Sequence, residues 1–145
     1  MKPTVTRTFA TTAPPEAVYD YLCDFTNAEK WDPGTVSCER VSGHGGVGTV
    51  YRNVSSFLGR TSEITYTTVE AERPTRIHLT GTNEQFDGHD VLGIRASGTG
   101  SEVTYTAEFA FKGAARFAVP VVAAYLPVLA RKTVEHLRTT LDGLA

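Results

Sequence analysis

The stretch Ala114–Ala145, AARFAVPVVAAYLPVLARKTVEHLRTTLDGLA, decides how the rest of the chain is read. Val134, Leu137, Leu141 and Leu144 recur at helical spacing, and Tyr125, Leu126, Leu129 and Ala130 widen the stripe towards the N-terminus. The spacing predicts a long amphipathic helix closing the chain. Pro120 suits a first helical turn, whereas Pro127 lies inside the pattern, where it removes a hydrogen bond and crowds the preceding turn. A kink or break is therefore expected near Ala123–Pro127, with Phe117, Val121, Tyr125 and Leu129 lining the space beneath it.

Such a stripe needs a surface to cover, and the preceding sequence is mostly strand-like. Thr4–Thr11 alternates, with Val5, Arg7 and Phe9 on one face. Ala13-Pro14-Pro15-Glu16 opens a helix whose buried face carries Val18, Leu22 and Phe25, with Tyr21 on the flank. Thr26-Asn27-Ala28-Glu29 fits a capping box for a second short helix ending at Trp31, before Pro33-Gly34. Six strands follow over Val36–Val41, Gly48–Phe57, Ser62–Ala71, Arg76–Thr82, His89–Ala96 and Glu102–Lys112. The turns between them fall at Ser42–Gly46, Leu58-Gly59-Arg60, Glu72-Arg73-Pro74, Phe86-Asp87-Gly88 and Ser97–Gly100. No strand alternates with a helix, so the class is α+β: one curved seven-stranded antiparallel sheet, two short helices between β1 and β2, and the long C-terminal helix across its hollow.

With 145 residues, 41% hydrophobic and 21% charged, the chain reads as one domain over 1–145 with an ordinary core. A net charge of -2 and the lack of a basic patch argue against a nucleic-acid partner. The start has no apolar leader, and the proline-broken runs of the tail read as too short to span a bilayer, so a cytoplasmic chain without membrane insertion is expected. Cys23 and Cys38 read as small core residues. No metal-ligand cluster, Ser-His-Asp order or paired carboxylates stand out, and neither metal nor cofactor is expected. The run Gly43-His44-Gly45-Gly46-Val47-Gly48 leads into a strand, so it is a turn and not a phosphate cradle.

Several segments together resemble a known family. They are Ala13–Tyr19, Asp24 through Trp31-Asp32-Pro33-Gly34-Thr35-Val36, Gly46–Tyr51, Val69–Ile77 and Gly98–Phe109. In order and spacing they are similar to the START-like (SRPBCC) superfamily, in its polyketide cyclase/dehydrase-like group. The resemblance covers nearly the whole chain and implies a helix-grip fold with a hydrophobic cavity between sheet and terminal helix. It also implies several functions, because the fold serves lipid carriers, hormone receptors, cyclases and chaperone activators alike.

The aromatic residues are the more informative set for a binding site. Trp31, Tyr51, Phe57, Tyr66, Phe86, Tyr105, Phe109, Phe117 and Tyr125, with Val121 and Leu129, are the expected ligand-lining residues. A buried tyrosine hydroxyl requires a polar partner, which favours Tyr66, Tyr105 and Tyr125 as groups that orient a ligand oxygen. His89, beside Asp90 and after the expected turn, is the imidazole chosen as an acid or base, with Tyr66 as its companion. His44 and His78 read as surface residues, His136 as the edge of the helical stripe, and Arg52 and Arg95 as outward-facing. Arg7 shares the inward face of β1. The expectation is a monomer or weak homodimer binding a small hydrophobic or aromatic molecule such as a lipid or polyketide. The alternatives are a cyclase, aromatase or dehydratase using a tyrosine with His or Arg, and an interaction module with a filled interior and an exposed apolar patch.

Overall fold

The computed structural model describes residues 2–57 and 59–145. β1 (Thr4–Thr11) leads into α1 (Pro15–Leu22), a 3-10 turn (Phe25–Asn27) and α2 (Ala28–Trp31). Then follow β2 (Thr35–Ser42), β3 (Val50–Phe57), β4 (Arg60–Glu72), β5 (Arg76–Thr82), β6 (Phe86–Ser97) and β7 (Gly100–Phe111). A second 3-10 stretch, Gly113–Ala118, passes into α3 (Val119–Asp142). The strands form one sheet in the order β1-β7-β6-β5-β4-β3-β2, antiparallel throughout. This is the helix-grip arrangement, with α3 lying against the concave face.

Strand alternation sorts the two faces. Val5 and Phe9 on β1, Ile64 and Tyr66 on β4, Ile77 and Leu79 on β5, and Leu92 and Ile94 on β6 are all buried. From α3 they are met by Val122, Leu126, Ala130, Thr133, Leu137 and Leu141, spaced three and four apart as a single helical stripe requires. The last turn of α3 is fastened to the start of the chain. Asp142 Oδ1 accepts hydrogen bonds from the Thr11 hydroxyl at 2.6 Å and the Thr12 amide at 3.0 Å. Beside it, the buried Ser101 hydroxyl donates to the Ala13 carbonyl at 2.7 Å. Gly100 is required there, since a Cβ at that position would lie 2.1 Å from the Thr11 carbonyl oxygen.

Four local expectations are corrected. α3 runs unbroken through Pro127, whose exposed position leaves the inward stripe of Leu126 and Ala130 intact. The continuous helix is also long and apolar enough to cross a membrane by length and composition, contrary to the reading of short proline-broken runs, while its inward stripe is buried in the fold. The Thr26–Glu29 capping box does not form. Asp24 caps instead, accepting from the Thr26 amide at 3.1 Å, while Glu29 accepts from the Cys38 amide at 2.7 Å. The β5–β6 turn falls at Asn83–Gln85, because the Asn83 side chain accepts from the amides of Gln85 and Phe86 at 2.8 and 3.0 Å. β6 thus begins at Phe86, and His89 lies within it. In the expected Leu58-Gly59-Arg60 turn, Leu58 lies outside the described residues; Gly59 adopts a φ of 81°, a value glycine reaches without steric cost.

Candidate functional site

The β-ladders place a carboxyl in the middle of the concave face. Thr68, Leu79, Asp90, Ala107 and Val5 stand opposite one another across β4, β5, β6, β7 and β1. One flanking row holds Tyr51, Tyr66, Gly81, Gly88 and Phe109, and the other Ile77, Leu92, Tyr105 and Arg7. Asp90 therefore lies between two tyrosines. Gly81 lets Tyr66 lean across β5, since a Cβ there would meet the ring at 2.6 Å. The Tyr105 hydroxyl donates to Asp90 Oδ1 at 3.1 Å, and the Tyr66 hydroxyl bears on the same carboxyl.

The electrostatics of this cluster are those of a poorly hydrated acid. Burial, then repulsion from Asp32, pushes the Asp90 carboxyl up to about 7, against the opposing pull of the two tyrosine hydroxyls. The same burial, with the nearby Asp90, holds both tyrosine hydroxyls well above their usual range. Asp32, at the end of α2, is raised by burial although it accepts from the Gly34 amide and the Thr35 hydroxyl, each at 3.0 Å. Asp90 and Asp32 retain some accessible surface. Two further buried polar atoms, Trp31 Nε1 and Thr68 Oγ1, have no hydrogen-bond partner among the described residues. Trp31 packs edge-on against Tyr105, with ring centroids 6.1 Å apart.

Apolar side chains continue from this cluster towards the front half of α3. Phe86 meets Phe109 and Phe111 at centroid distances of 5.6 and 5.8 Å, and Phe57 meets Tyr125 at 5.4 Å. Phe57, Phe86, Phe109, Phe111 and Leu129 are only partly buried. A cavity of about 100 Å³ opens between the α2–β2 loop and α3, lined by Pro33, Gly34, Ser56, Phe57, Tyr125, Leu129 and Lys132. A shallower groove of about 430 Å³ at Gly93 and Thr104 lies away from the aromatic set.

The structure thus gathers Trp31, Phe57, Tyr66, Phe86, Tyr105, Phe109, Tyr125 and Leu129 on or beside the hollow. Tyr51 is wholly buried, its hydroxyl donating to the Cys23 carbonyl at 3.3 Å, which places it in the packed core. Phe117 and Val121, expected beneath the bend, are exposed, because no bend turns them inward. His89 stands on the opposite face from Tyr66, its Nδ1 2.9 Å from Nε2 of the half-buried His78. Arg7 occupies the concave register but is exposed at the sheet edge, where its guanidinium donates to the Thr6 carbonyl. Arg52 and Arg95 face outward, paired with Glu39 and Glu102. Asp90 and Asp32 were missed as site residues, yet alternation in β6 carried a signal: Asp90 is in phase with buried Leu92 and Ile94, and His89 is not.

A sheet gripping a terminal helix, with a titratable polar cluster at its centre and apolar walls leading outward, defines the cavity-bearing class of helix-grip proteins. Residues 2–142 match the family model described as polyketide cyclase / dehydrase and lipid transport, and the chain belongs to that family. No curated protein matches the sequence significantly. Among solved structures, protein TTHA0849 from Thermus thermophilus is similar, with a TM-score of 0.77 at 20% identity, covering 98% of this chain and 96% of that one. The ZhuI aromatase/cyclase from Streptomyces sp. R1128 gives 0.76 at 15% identity, covering 99% and 93%. A START superfamily protein from Mycobacterium smegmatis gives 0.72 at 18% identity, covering 97% and 94%. At these identities the likeness establishes the fold and leaves the chemistry to the residues of this chain.

Proposed function

We propose that the protein binds a small hydrophobic or aromatic molecule between the sheet and α3, with an oxygen of that molecule set against Asp90, Tyr66 and Tyr105. The observation that carries this reading is the Asp90–Tyr105 pair in the middle of a mostly apolar concave face. Trp31 Nε1 is a donor only, so an acceptor oxygen on the ligand matches it. A cavity of about 100 Å³ falls short of the roughly 300 Å³ of a drug-sized site. Binding therefore requires the front half of α3 to move outward. Burying roughly 200–300 Å² of apolar ligand surface at about 25 cal/mol/Å² gives about 5–8 kcal/mol before ordering losses, the range of micromolar affinity. On this reading the protein is a monomeric cytoplasmic binder.

A second reading is favoured by one specific arrangement, a carboxyl set between two tyrosine hydroxyls in the hollow, where burial pushes its proton affinity up. An acid of that kind serves cyclase or dehydratase chemistry. As a carboxylate it takes the proton from a carbon next to a keto group while a tyrosine hydroxyl stabilises the enolate oxygen; the proton then leaves with a departing hydroxide as water. Binding and turnover separate the two. A thermal-shift and native mass-spectrometric screen over fatty acids, sterols and polyphenols is expected to give hits that Asp90→Asn and Tyr105→Phe weaken about tenfold and His89→Ala leaves unchanged. Hits unaffected by either interior substitution would refute the placement. Loss of turnover in Asp90→Asn far beyond its roughly tenfold loss of binding would favour the enzyme.

A further inference from the structure

The front half of α3 is apolar on both sides. Its inward stripe buries Val122, Leu126 and Ala130, yet Phe117 and Val121 are 87% and 55% exposed, and Ala124 and Pro127 are exposed on the same flank. Gly113–Asp142 is apolar enough in composition to cross a membrane, yet little of its most apolar stretch is buried. A helix that is hydrophobic all round requires a second apolar cover, and this one finds none on its outer side among the described residues. Further along α3 the outer side becomes polar at Arg131, Lys132 and Glu135.

Charge indicates the occupant. From Ala110 to Val134 there is no Asp or Glu, whereas Lys112, Arg116, Arg131 and Lys132 frame the apolar stretch in a chain of net charge -2. Lys112 pairs with Asp87 at 3.2 Å; among the described residues, Arg116, Arg131 and Lys132 pair with no carboxylate. A second copy packed about a two-fold axis would bring these cations against their own equivalents. A protein partner would meet few side-chain hydrogen-bonding groups, since Tyr125 is the one polar residue from Phe117 to Ala130. We infer that this face docks on an anionic lipid bilayer, with Phe117 and Val121 in the acyl boundary and Arg116, Arg131 and Lys132 among the headgroups. The contact is peripheral, because the inward stripe of the same helix stays in the protein core. It brings the mouth at Phe57, Tyr125 and Leu129 to the membrane surface and holds whatever the interior carries.

The test is co-sedimentation of the full chain with vesicles of phosphatidylcholine alone and of phosphatidylcholine with about one-third phosphatidylglycerol. Partition into the anionic vesicles is expected to exceed that into the neutral ones about tenfold, and to collapse at about 0.5 M salt. The double substitution Phe117→Ser and Val121→Ser, at exposed positions, abolishes partition while the melting temperature stays unchanged. Each cation replaced by Gln at Arg116 or Arg131 weakens it about fivefold. Equal or absent partition into the two vesicle types overturns the inference. So does a dimer, or a complex with an acidic protein, that Phe117→Ser and Val121→Ser dissolve while vesicle binding is lacking.

Discussion

Replacing Asp90 by Asn tests the interior site through stability alone. The side chain keeps its shape and an oxygen to accept from Tyr105, exchanges its second oxygen for an NH2 group, and loses the ability to ionise. Displacement of the Asp90 carboxyl from 3.8 to about 7 corresponds to roughly 4 kcal/mol of preference for the protonated form in the folded state. The folded protein holds this proton more tightly than the unfolded chain. Its contribution is therefore fully present below about pH 4, falls as the pH rises, and is gone above about pH 7. Asp90→Asn removes that dependence, so above pH 7 it is more stable than the parent by an amount approaching 4 kcal/mol, or roughly 10 °C in melting temperature. At pH 4 the two differ little. Urea unfolding at a series of pH values from 4 to 8 measures the divergence directly. Parallel profiles, or a variant less stable than the parent at pH 8, would rule out a neutral-range carboxyl inside the hollow.

Three further outcomes follow from packing and hydrogen bonding. Gly81→Ala places a methyl 2.6 Å from the Tyr66 ring; it is expected to cost about 1–3 kcal/mol and to alter the near-ultraviolet circular dichroism. Asp142→Ala removes the acceptor shared by Thr11 and Thr12 and is expected to cost about 1–2 kcal/mol at neutral pH. Because those bonds hold the Asp142 carboxyl below its usual range, this deficit narrows as the pH falls below about 4, which acid titration of both proteins checks. His89→Ala, on the outer face, is expected to stay within about 0.5 kcal/mol of the parent in urea unfolding.

Legibility differed between fold and site for physical reasons. Strand alternation and the heptad-like stripe of Val134, Leu137 and Leu141 are local signals, and they placed the sheet and α3 within a few residues. The β5–β6 turn was misplaced because Asp87-Gly88 has turn chemistry, whereas the turn is made by the side chain of Asn83, which sequence ranks no higher. That shift mattered for the site: His89 as a strand-start residue was free to face inward, whereas within the ladder its parity with Val91 sets it outside. Asp90 was legible by the same parity, but a carboxyl between apolar neighbours reads as solvent-facing until the tyrosines of β4 and β7 are seen beside it. The partnership of Tyr66, Asp90 and Tyr105 depends on cross-strand register and on Gly81, neither of which a single strand reveals.

The two ends of α3 are held very unequally. Asp142 is tied to Thr11 and Thr12 at the back, whereas ahead of Ala130 the helix is anchored only by apolar contact, through buried Val122 and Leu126, Tyr125 against Phe57, and partly buried Leu129. It is a lever with its fulcrum in the last turns: prising the front away from the sheet exposes the two buried side chains, at about 1.5–3 kcal/mol each, breaks the Phe57–Tyr125 and Leu129 contacts, and leaves the core behind Ala130 in place. A guest that regains that contact area opens its own door without the domain having to unfold.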